Sequence, residues 1–172
     1  MDKKILVAYS SKYGSTAEIA EKIGEVLTNA GLETEVLPVM KVPRLQPYQA
    51  VVLGSAVYFG RWQRETSVFL KFKEKDLTSM PVWLFSSGPV GEGDPVELLE
   101  GWYFPENLKE LTERIKPRDI KVFHGNVNPG KMKRFDKWVL KNIKSPIGDF
   151  RDWDAIKSWA ESIAEAILHE SE

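Results

Sequence analysis

Ile5-Leu6-Val7-Ala8-Tyr9 is an apolar run long enough for one buried strand, and Ser10-Ser11-Lys12-Tyr13-Gly14-Ser15-Thr16 follows it directly. The second run consists of small, hydroxylated and turn-forming residues around one glycine, and an amphipathic helical pattern begins immediately after it. This order predicts a strand, a tight turn and a helix N-terminus. The first turn of a helix has unpaired N–H groups and carries positive partial charge, so Ser and Thr hydroxyls in front of it suit a phosphate group.

The helix after this turn has one apolar stripe, formed by Ile19, Ala20, Ile23, Val26, Leu27 and Ala30. Ser15 and Glu18 stand at the spacing of a capping box, in which each side chain binds a backbone N–H of the first turn. Gly31 is placed to end the helix, because glycine readily adopts the left-handed conformation found at helix ends.

The composition describes a compact chain without a strong overall charge. The 172 residues include 42% hydrophobic and 11% aromatic residues, which is enough for a core. Lys and Arg number 24 against 25 Asp and Glu, so no whole-molecule field favours nucleic acid as a partner. The sequence has no Cys, which excludes disulfides, thiolate metal sites and thiol nucleophiles. The N-terminal apolar run is too short for a signal sequence or a membrane span, so we expect a cytoplasmic protein.

The pattern of an apolar strand followed by small residues recurs along the chain. Further strands are predicted at residues 33–39, 50–55, 81–87 and 119–123, with helical patterns between them. This alternation predicts an α/β fold, a doubly wound sheet of five parallel strands with helices on both faces. If the strand order is 2-1-3-4-5, the first, third and fourth strands are neighbours. No shift in composition divides the chain, so we expect residues 1–172 to form a single domain.

Several side chains are expected to have structural roles. Val68, Phe69 and Phe72 form the predicted core side of a helix that follows the third strand. Trp83 lies in the middle of a buried strand and is expected in the core. Asp152 is placed to cap the last helix.

Three loops are expected to meet at one edge of the sheet, because ligands of such folds bind beyond the carboxyl ends of the strands. These loops are residues 10–16, 55–62 and 86–91. The second loop contains Tyr58, Phe59 and Trp62, which either stack on a flat ring or pack in the protein. A phosphate and a nearby planar ring describe FMN better than a dinucleotide. The sequence has no Gly-Lys-Ser/Thr loop for a nucleoside triphosphate and no Gly-x-Gly-x-x-Gly motif.

The first loop resembles a known motif. Residues 11–16 are similar to the phosphate loop of the flavodoxin family, Thr/Ser-x-Thr-Gly-x-Thr, in which Ser11, Gly14 and Thr16 match and Tyr13 replaces the second hydroxyl residue. The resemblance implies a flavodoxin-like fold, FMN as the cofactor and two loops around its isoalloxazine ring. The cofactor-binding residues that it implies are Ser10, Ser11, Lys12, Tyr13, Gly14, Ser15, Thr16, Ala56, Val57, Tyr58, Phe59, Gly60, Ser87, Gly88, Pro89, Val90 and Gly91.

Within that superfamily the chain most resembles the menaquinone-dependent protoporphyrinogen dehydrogenase group. The similar residues are 52–60, 135–138, 152–153 and 159–160. This resemblance implies a flavin-dependent oxidoreductase with a quinone or a porphyrinogen-type molecule as its partner. Residues 88–104 do not match the basic substrate-side insertion of that group, so the substrate is not carried over. This loop is expected to act as a lid or a substrate platform.

Two other functions fit the same fold. A flavodoxin-type carrier would pass single electrons between redox proteins, but such carriers tend to be strongly acidic and this chain has a net charge of −1. A flavin-free domain would serve only as a binding module. Because isoalloxazine itself carries the redox chemistry, we expect no catalytic side chain and no metal site.

Two features near the expected ligand side have alternative interpretations. His124 follows the fifth strand and is either an ordinary loop residue or a group that moves protons. Residues 131–144 carry six Lys and Arg against Asp136 alone, with an apolar stripe of Met132, Phe135, Val139 and Ile143. Such a helix more often packs on the core with its charges in solvent. The alternative is contact with an acidic partner or with an anionic membrane, which would place the protein peripherally on the inner face of the membrane.

Overall fold

The computed structural model describes residues 4–170. Its strands are β1 (Lys4–Ser10), β2 (Thr34–Pro38), β3 (Tyr48–Tyr58), β4 (Arg61–Trp62), β5 (Val82–Ser87), β6 (Asp119–Phe123), β7 (Asn126–Val127) and β8 (Gly148–Asp149). Its α-helices are α1 (Ser15–Asn29), α2 (Arg64–Phe72), α3 (Glu74–Leu77), α4 (Pro95–Leu98), α5 (Lys109–Ile115), α6 (Arg134–Ile143) and α7 (Trp153–Glu170). Short 3₁₀ turns lie at Val39–Lys41, Glu106–Leu108 and Pro129–Lys131.

The main sheet contains five parallel strands in the order β2-β1-β3-β5-β6. This confirms the predicted order, because β5 and β6 are the fourth and fifth strands expected from the sequence. β4 pairs antiparallel with the end of β3, and β7 and β8 form a separate antiparallel pair. The sequence does not predict these three strands, because two residues are too few to show a hydrophobic period.

Helices cover both faces of the main sheet. On one face, α1 and α7 enclose a core that includes Ile5, Val7 and Phe85. On the other face, α2, α3 and α5 enclose a core that includes Leu6 and Leu53. Neighbouring residues of one strand therefore point into different cores, which explains why these strands are apolar without alternation.

Four of the structural side-chain predictions are confirmed. Gly31 has a φ of 91° and ends α1, and its N–H donates to the carbonyl oxygen of Thr28 at 3.0 Å. Asp152 caps α7, because its Oδ1 accepts a hydrogen bond from the Ala155 N–H at 3.0 Å. Trp83 and Phe69 are buried in the two cores.

The predicted capping box of α1 is wrong. Gly14 is the N-cap residue, with a φ of 91°, and no side chain caps this helix. The Glu18 carboxylate instead binds the guanidinium of Arg151, far along the chain. The N-terminal N–H groups of α1 are therefore left without the side-chain partners that the sequence pattern indicates.

The predicted core side of α2 is wrong at two of three positions. Val68 is 40% exposed and Phe72 is 83% exposed, although Phe69 is buried. The residues that α2 buries are Thr66, Phe69 and Leu70. Because one of them is a threonine, the buried face does not coincide with the most apolar stripe.

Residues 131–144 do not form one helix packed on the core. The α-helix begins at Arg134, after a 3₁₀ turn at Pro129–Lys131, and none of its residues is buried. Phe135, which was expected on the core side, lies largely in solvent. The favoured interpretation of a core-packed helix is therefore wrong.

Gly54 leaves room for the ring of Phe85 in the core between the sheet and helices α1 and α7. It lies on β3 between Tyr9 of β1 and Phe85 of β5. A Cβ atom at this position would lie 2.0 Å from Cζ of Phe85. The Phe85 ring is itself held against the rings of Phe123 and Trp159, with both centroid distances at 6.0 Å. Glycine in this strand interior thus reflects a close approach by a side chain.

We predict that Gly54→Ala lowers the free energy of unfolding by about 1–3 kcal/mol, because the added methyl group displaces a ring in a close-packed core. Urea unfolding of the variant measures this loss. Adding Phe85→Leu should recover part of it, so that the double variant loses less than the sum of the two single variants. Additive losses would show that the Phe85 ring is not what excludes a side chain at position 54.

Candidate functional site

The ends of three parallel strands form the base of the candidate site. In the strand register, Ser10 of β1 lies beside Ser55 of β3, and Ala56 of β3 lies beside Ser87 of β5. The loops that follow these strands surround a cleft of about 260 Å³. The position at the carboxyl edge of the sheet is the one expected from the sequence.

Most of the predicted cofactor-binding residues line this cleft: Ser11, Lys12, Tyr13, Ser15, Thr16, Ala56, Val57, Tyr58, Phe59, Ser87, Gly88 and Val90. The other five have backbone roles. Ser10 is paired in the sheet, Gly14, Gly60 and Gly91 have positive φ angles, and the Pro89 carbonyl oxygen accepts a hydrogen bond from the Gly125 N–H. The binding of FMN by these residues stays a prediction.

The first loop is shaped by Gly14 and Ser11. The left-handed conformation of Gly14 turns the chain into α1, and the Gly14 N–H donates to Oγ of Ser11 at 3.0 Å. Ser15 lines the cleft, and its buried Oγ has no hydrogen-bond partner among residues 4–170. A buried hydroxyl without a partner is costly, and it lies beside the uncapped helix N-terminus. Both features fit a bound anion such as a phosphate group.

Lys12 and Tyr13 are directed toward α6. The Lys12 Nζ lies 2.7 Å from Oδ2 of Asp136, and the Tyr13 hydroxyl donates a hydrogen bond to the same carboxylate. The Lys12 hydrogen bond, followed by that of Tyr13, lowers the pKa of Asp136 below its ordinary value. The Asp136 hydrogen bond in turn raises the pKa of Lys12. Asp136 therefore connects the first loop to a helix that lies 120 residues later.

The second loop contributes Tyr58 and Phe59 to the cleft. The Lys12 Nζ lies 4.8 Å from the centroid of the Tyr58 ring, a cation–π distance. Burial raises the pKa of Tyr58 to about 12, with smaller contributions from Tyr13 and Asp136, so this phenol is neutral at physiological pH. Phe59 has a φ of 50° and is 82% exposed at the rim.

Trp62 is a packing residue rather than part of the cleft wall. Its side chain is buried, its Nε1 donates to Oγ of Ser86 at 2.7 Å, and its ring packs edge-on against Phe104. The short β3–β4 hairpin produces this placement by turning Trp62 back toward the sheet. Tyr58 and Phe59 are thus the two predicted stacking residues that face the cleft.

His124 holds the third loop. Its Nδ1 lies 3.2 Å from the carbonyl oxygen of Pro89, and its Nε2 lies 2.7 Å from that of Gly93. The ring is buried, so these contacts link the end of β6 to the loop that follows β5. Gly125 packs on the backbone of Gly88, where a Cβ atom would lie 3.0 Å from the Gly88 carbonyl oxygen. His124 is therefore a structural part of the loop, and a role in proton movement stays a prediction.

The cleft has a fourth wall that the sequence analysis did not assign to it. Residues 125–145 contribute this wall, which consists of Gly125, Asn126, Val127, Asn128, Lys131, Met132, Asp136, Val139, Leu140, Ile143 and Ser145. Met132, Val139 and Ile143 belong to the apolar stripe that was recognised in the sequence. The apolar stripe correctly indicates an amphipathic helix, but these three residues face the cleft rather than the core.

Arg151 attaches β8 to α1. Its guanidinium makes two hydrogen bonds to Asp149, at 2.9 and 2.7 Å, and binds the Glu18 carboxylate. Its Nη1 also donates to the carbonyl oxygen of Ser15 at 3.3 Å. The Arg151 hydrogen bond lowers the pKa of Asp149, and the Arg151 side chain is only 6% exposed. The sequence shows no local signal for Arg151 or Asp136, because their partners are remote in the chain.

A sequence model of the flavodoxin domain matches residues 6–154. The chain belongs to the flavodoxin family. Flavodoxins are flavin-binding proteins, so this membership agrees with the position of the cleft. A curated relative of this flavodoxin-domain protein is protoporphyrinogen IX dehydrogenase [quinone] of Escherichia coli strain K12. The two sequences are 22% identical, over 94% of each chain.

Solved structures show the same flavodoxin fold. A flavodoxin from the domain Archaea has a TM-score of 0.62 and 16% identity, over 96% of this chain and 99% of its own. Rubredoxin oxygen:oxidoreductase from Desulfovibrio gigas has a TM-score of 0.61 and 15% identity, over 98% of this chain and 37% of its own. At these identities the comparison establishes the fold.

Residues 4–170 contain no cluster of three or more His, Cys, Asp or Glu side chains suited to a metal ion. None of the helices in this range combines the length and apolar character that crossing a bilayer requires.

We predict that Asp136→Asn lowers the free energy of unfolding by about 1–2 kcal/mol at pH 7, because Lys12 and Tyr13 lose a charged acceptor. The lowered pKa of Asp136 stabilises the fold above the unfolded-state pKa of the carboxyl, and this contribution disappears as the pH falls through the folded-state value. Urea unfolding between pH 3 and 7 should therefore show the two proteins converging in stability at low pH.

The matched control is Asp154→Asn, which removes an exposed carboxylate at the start of α7. Its effect should be smaller than that of Asp136→Asn. A difference between wild type and Asp136→Asn that stays constant down to pH 3 would contradict the assigned ion pair.

Proposed function

We propose that this flavodoxin-domain protein is an FMN-dependent oxidoreductase that transfers electrons from a porphyrinogen-type substrate to a quinone. The observation that carries the proposal is the fourth wall of the cleft. An apolar wall on α6 provides space beside the cofactor loops, which suits a small-molecule substrate better than contact between two protein surfaces. The name of the Escherichia coli relative supports the same reaction class.

The residues of the first loop fit the phosphate of FMN. Within the part of the chain that the structure describes, the Ser15 hydroxyl has no hydrogen-bond partner and the first turn of α1 has no side-chain cap. Ser11 and Thr16 line the cleft beside them. Lys12 and Tyr13 are less available to the phosphate, because the Asp136 carboxylate already binds both side chains. We therefore assign phosphate binding to the helix N-terminus and hydroxyls rather than to the lysine.

The other two loops would hold the ring of the cofactor. Tyr58 and Phe59 offer aromatic surfaces, and Gly88 permits a close backbone approach in the third loop. When bound, the isoalloxazine of FMN supplies the capacity to accept and donate one or two electrons. The protein itself would bind and orient the cofactor and limit the access of water to it.

The fourth wall of the cleft gives the protein a means of selecting a substrate. Val139 and Leu140 present apolar surface that excludes water, while Lys131 provides a cation on the same wall. A planar molecule with carboxylate groups would match this combination. In the proposed reaction, two electrons and two protons leave the porphyrinogen ring and convert one quinone to one quinol.

A flavodoxin-type electron carrier is the second candidate. Phe59 is largely exposed at the rim, so one side of the cleft is open to a partner surface. A carrier would exchange electrons with a redox protein without turning over a porphyrinogen. The near-zero net charge offers no general electrostatic steering toward such a partner.

We predict that Ser15→Ala weakens binding of FMN by about 10- to 100-fold, because the phosphate loses a charge-assisted hydrogen bond. Binding of riboflavin, which has no phosphate, should change little. Quenching of flavin fluorescence measures both affinities. The control is Ser87→Ala, which changes the third loop and should affect FMN and riboflavin alike.

Equal losses of FMN and riboflavin affinity in Ser15→Ala would overturn the placement of the phosphate. A wild-type protein that quenches neither flavin would overturn the oxidoreductase and carrier proposals together, leaving a flavin-free binding module.

The reaction itself is tested with FMN-loaded protein, protoporphyrinogen IX and a water-soluble naphthoquinone in the absence of oxygen. We expect porphyrin fluorescence to appear only when the quinone is present. Lys131→Gln should raise the KM for the porphyrinogen about fivefold, because the cleft loses a cation, whereas Lys71→Gln on α2 should not. Reduction of a redox protein without porphyrin formation would favour the carrier.

A further inference from the structure

The outer side of α6 has an apolar surface that nothing in the described structure covers. Phe135 is 68% exposed and Trp138 is 60% exposed, and their rings are stacked with centroids 6.2 Å apart. Ile147, which follows α6 in the chain, is also 63% exposed. We call Phe135 and Trp138 the aromatic ridge. Large adjacent apolar side chains in water commonly mark a binding surface.

The segment that carries the aromatic ridge is rich in positive charge, although Lys131 lies at the cleft. The cations of this segment are all exposed, and they are Lys131, Lys133, Arg134, Lys137, Lys141 and Lys144. Within residues 4–170, none of the six is paired with a carboxylate. The one acidic residue of the segment, Asp136, is directed inward and neutralised by Lys12. The ridge therefore lies in a field of unpaired positive charge.

We propose that α6 docks the protein on the surface of an anionic lipid bilayer. In this arrangement Phe135 and Trp138 enter the boundary between head groups and acyl chains, while the lysines contact lipid phosphates. Aromatic side chains beside cations are typical of helices that lie in the plane of a membrane. The inference concerns binding only and does not depend on the proposed redox reaction.

Charge also argues against a second copy of this chain as the occupant. A two-fold symmetric contact through α6 would bring Arg134, Lys137 and Lys141 of the two copies close to one another. An acidic protein would match the charge, but it would also need a groove for two largely exposed aromatic rings. A lipid surface satisfies both requirements, because it combines anionic head groups with a deformable apolar layer.

The position of α6 links docking to the cleft. Val139 and Leu140 of the same helix line the cleft, and Asp136 connects α6 to the first loop. Docking through the aromatic ridge would therefore bring the cleft next to the bilayer. Under the proposed function, this location would give access to a quinone dissolved in the membrane.

Flotation of the full-length protein with lipid vesicles tests the proposal. We expect binding to vesicles of phosphatidylcholine with phosphatidylglycerol, weaker binding as salt rises, and at least tenfold weaker binding to phosphatidylcholine alone. The double variant Phe135→Ser/Trp138→Ser should lose at least tenfold in affinity for the anionic vesicles. The control is Phe72→Ser on α2, which removes a still more exposed aromatic side chain outside α6 and should leave vesicle binding as in the wild type.

The charges are tested separately. Lys137→Gln/Lys141→Gln should lose about fivefold for each cation removed, whereas Lys71→Gln/Lys75→Gln on α2 and α3 should lose little. All variants lie on the surface, and circular dichroism verifies that each is folded.

Several results would overturn the inference. These are an absence of binding to anionic vesicles, unchanged binding after the two aromatic substitutions, or equally tight binding to soluble polyglutamate. A wild-type dimer that the Phe135→Ser/Trp138→Ser variant converts to a monomer would identify a second copy as the occupant instead. Because flotation requires neither FMN nor turnover, failure here leaves the proposed oxidoreductase activity unaffected, and failure of that activity leaves docking unaffected.

Discussion

Parallel pairing of β1, β3 and β5 is the constraint on which the site depends. Their pairing places Ser10 beside Ser55 and Ala56 beside Ser87, so the three following loops emerge at one edge of the sheet. Each strand is buried on both faces, and a shift by one residue would exchange the two cores. The burial of the strands therefore fixes the register, and the register brings the loops together.

A second level of organisation comes from charged side chains that are distant in sequence. Asp136 joins α6 to Lys12 and Tyr13, while Arg151 joins Asp149 to Glu18 and the Ser15 carbonyl. Because α6 buries none of its residues, the contacts of Asp136 with Lys12 and Tyr13 contribute to its position beside the apolar contacts on the cleft. They hold a helix that has one side on the cleft and the other in solvent.

Some errors of sequence interpretation have a common physical origin. Ser15 and Glu18 match a capping box, but Arg151 offers the Glu18 carboxylate a charged partner instead. The apolar residues Val68 and Phe72 suggest a buried stripe, but α2 buries Thr66 instead. Local patterns describe what a side chain can do with its neighbours, and contacts from distant segments then select among those possibilities.

The sequence by itself determined the five strands, the helices between them and the position of the phosphate-type loop, because hydrophobic periodicity and glycine placement are local properties. The tertiary structure alone decided that Lys12 and Tyr13 bind Asp136, that Trp62 packs against Phe104, and that α6 forms a wall of the cleft. These features arise from contacts between residues far apart in the chain. Their geometry is set only once the sheet has brought the segments together, and no short-range pattern encodes it.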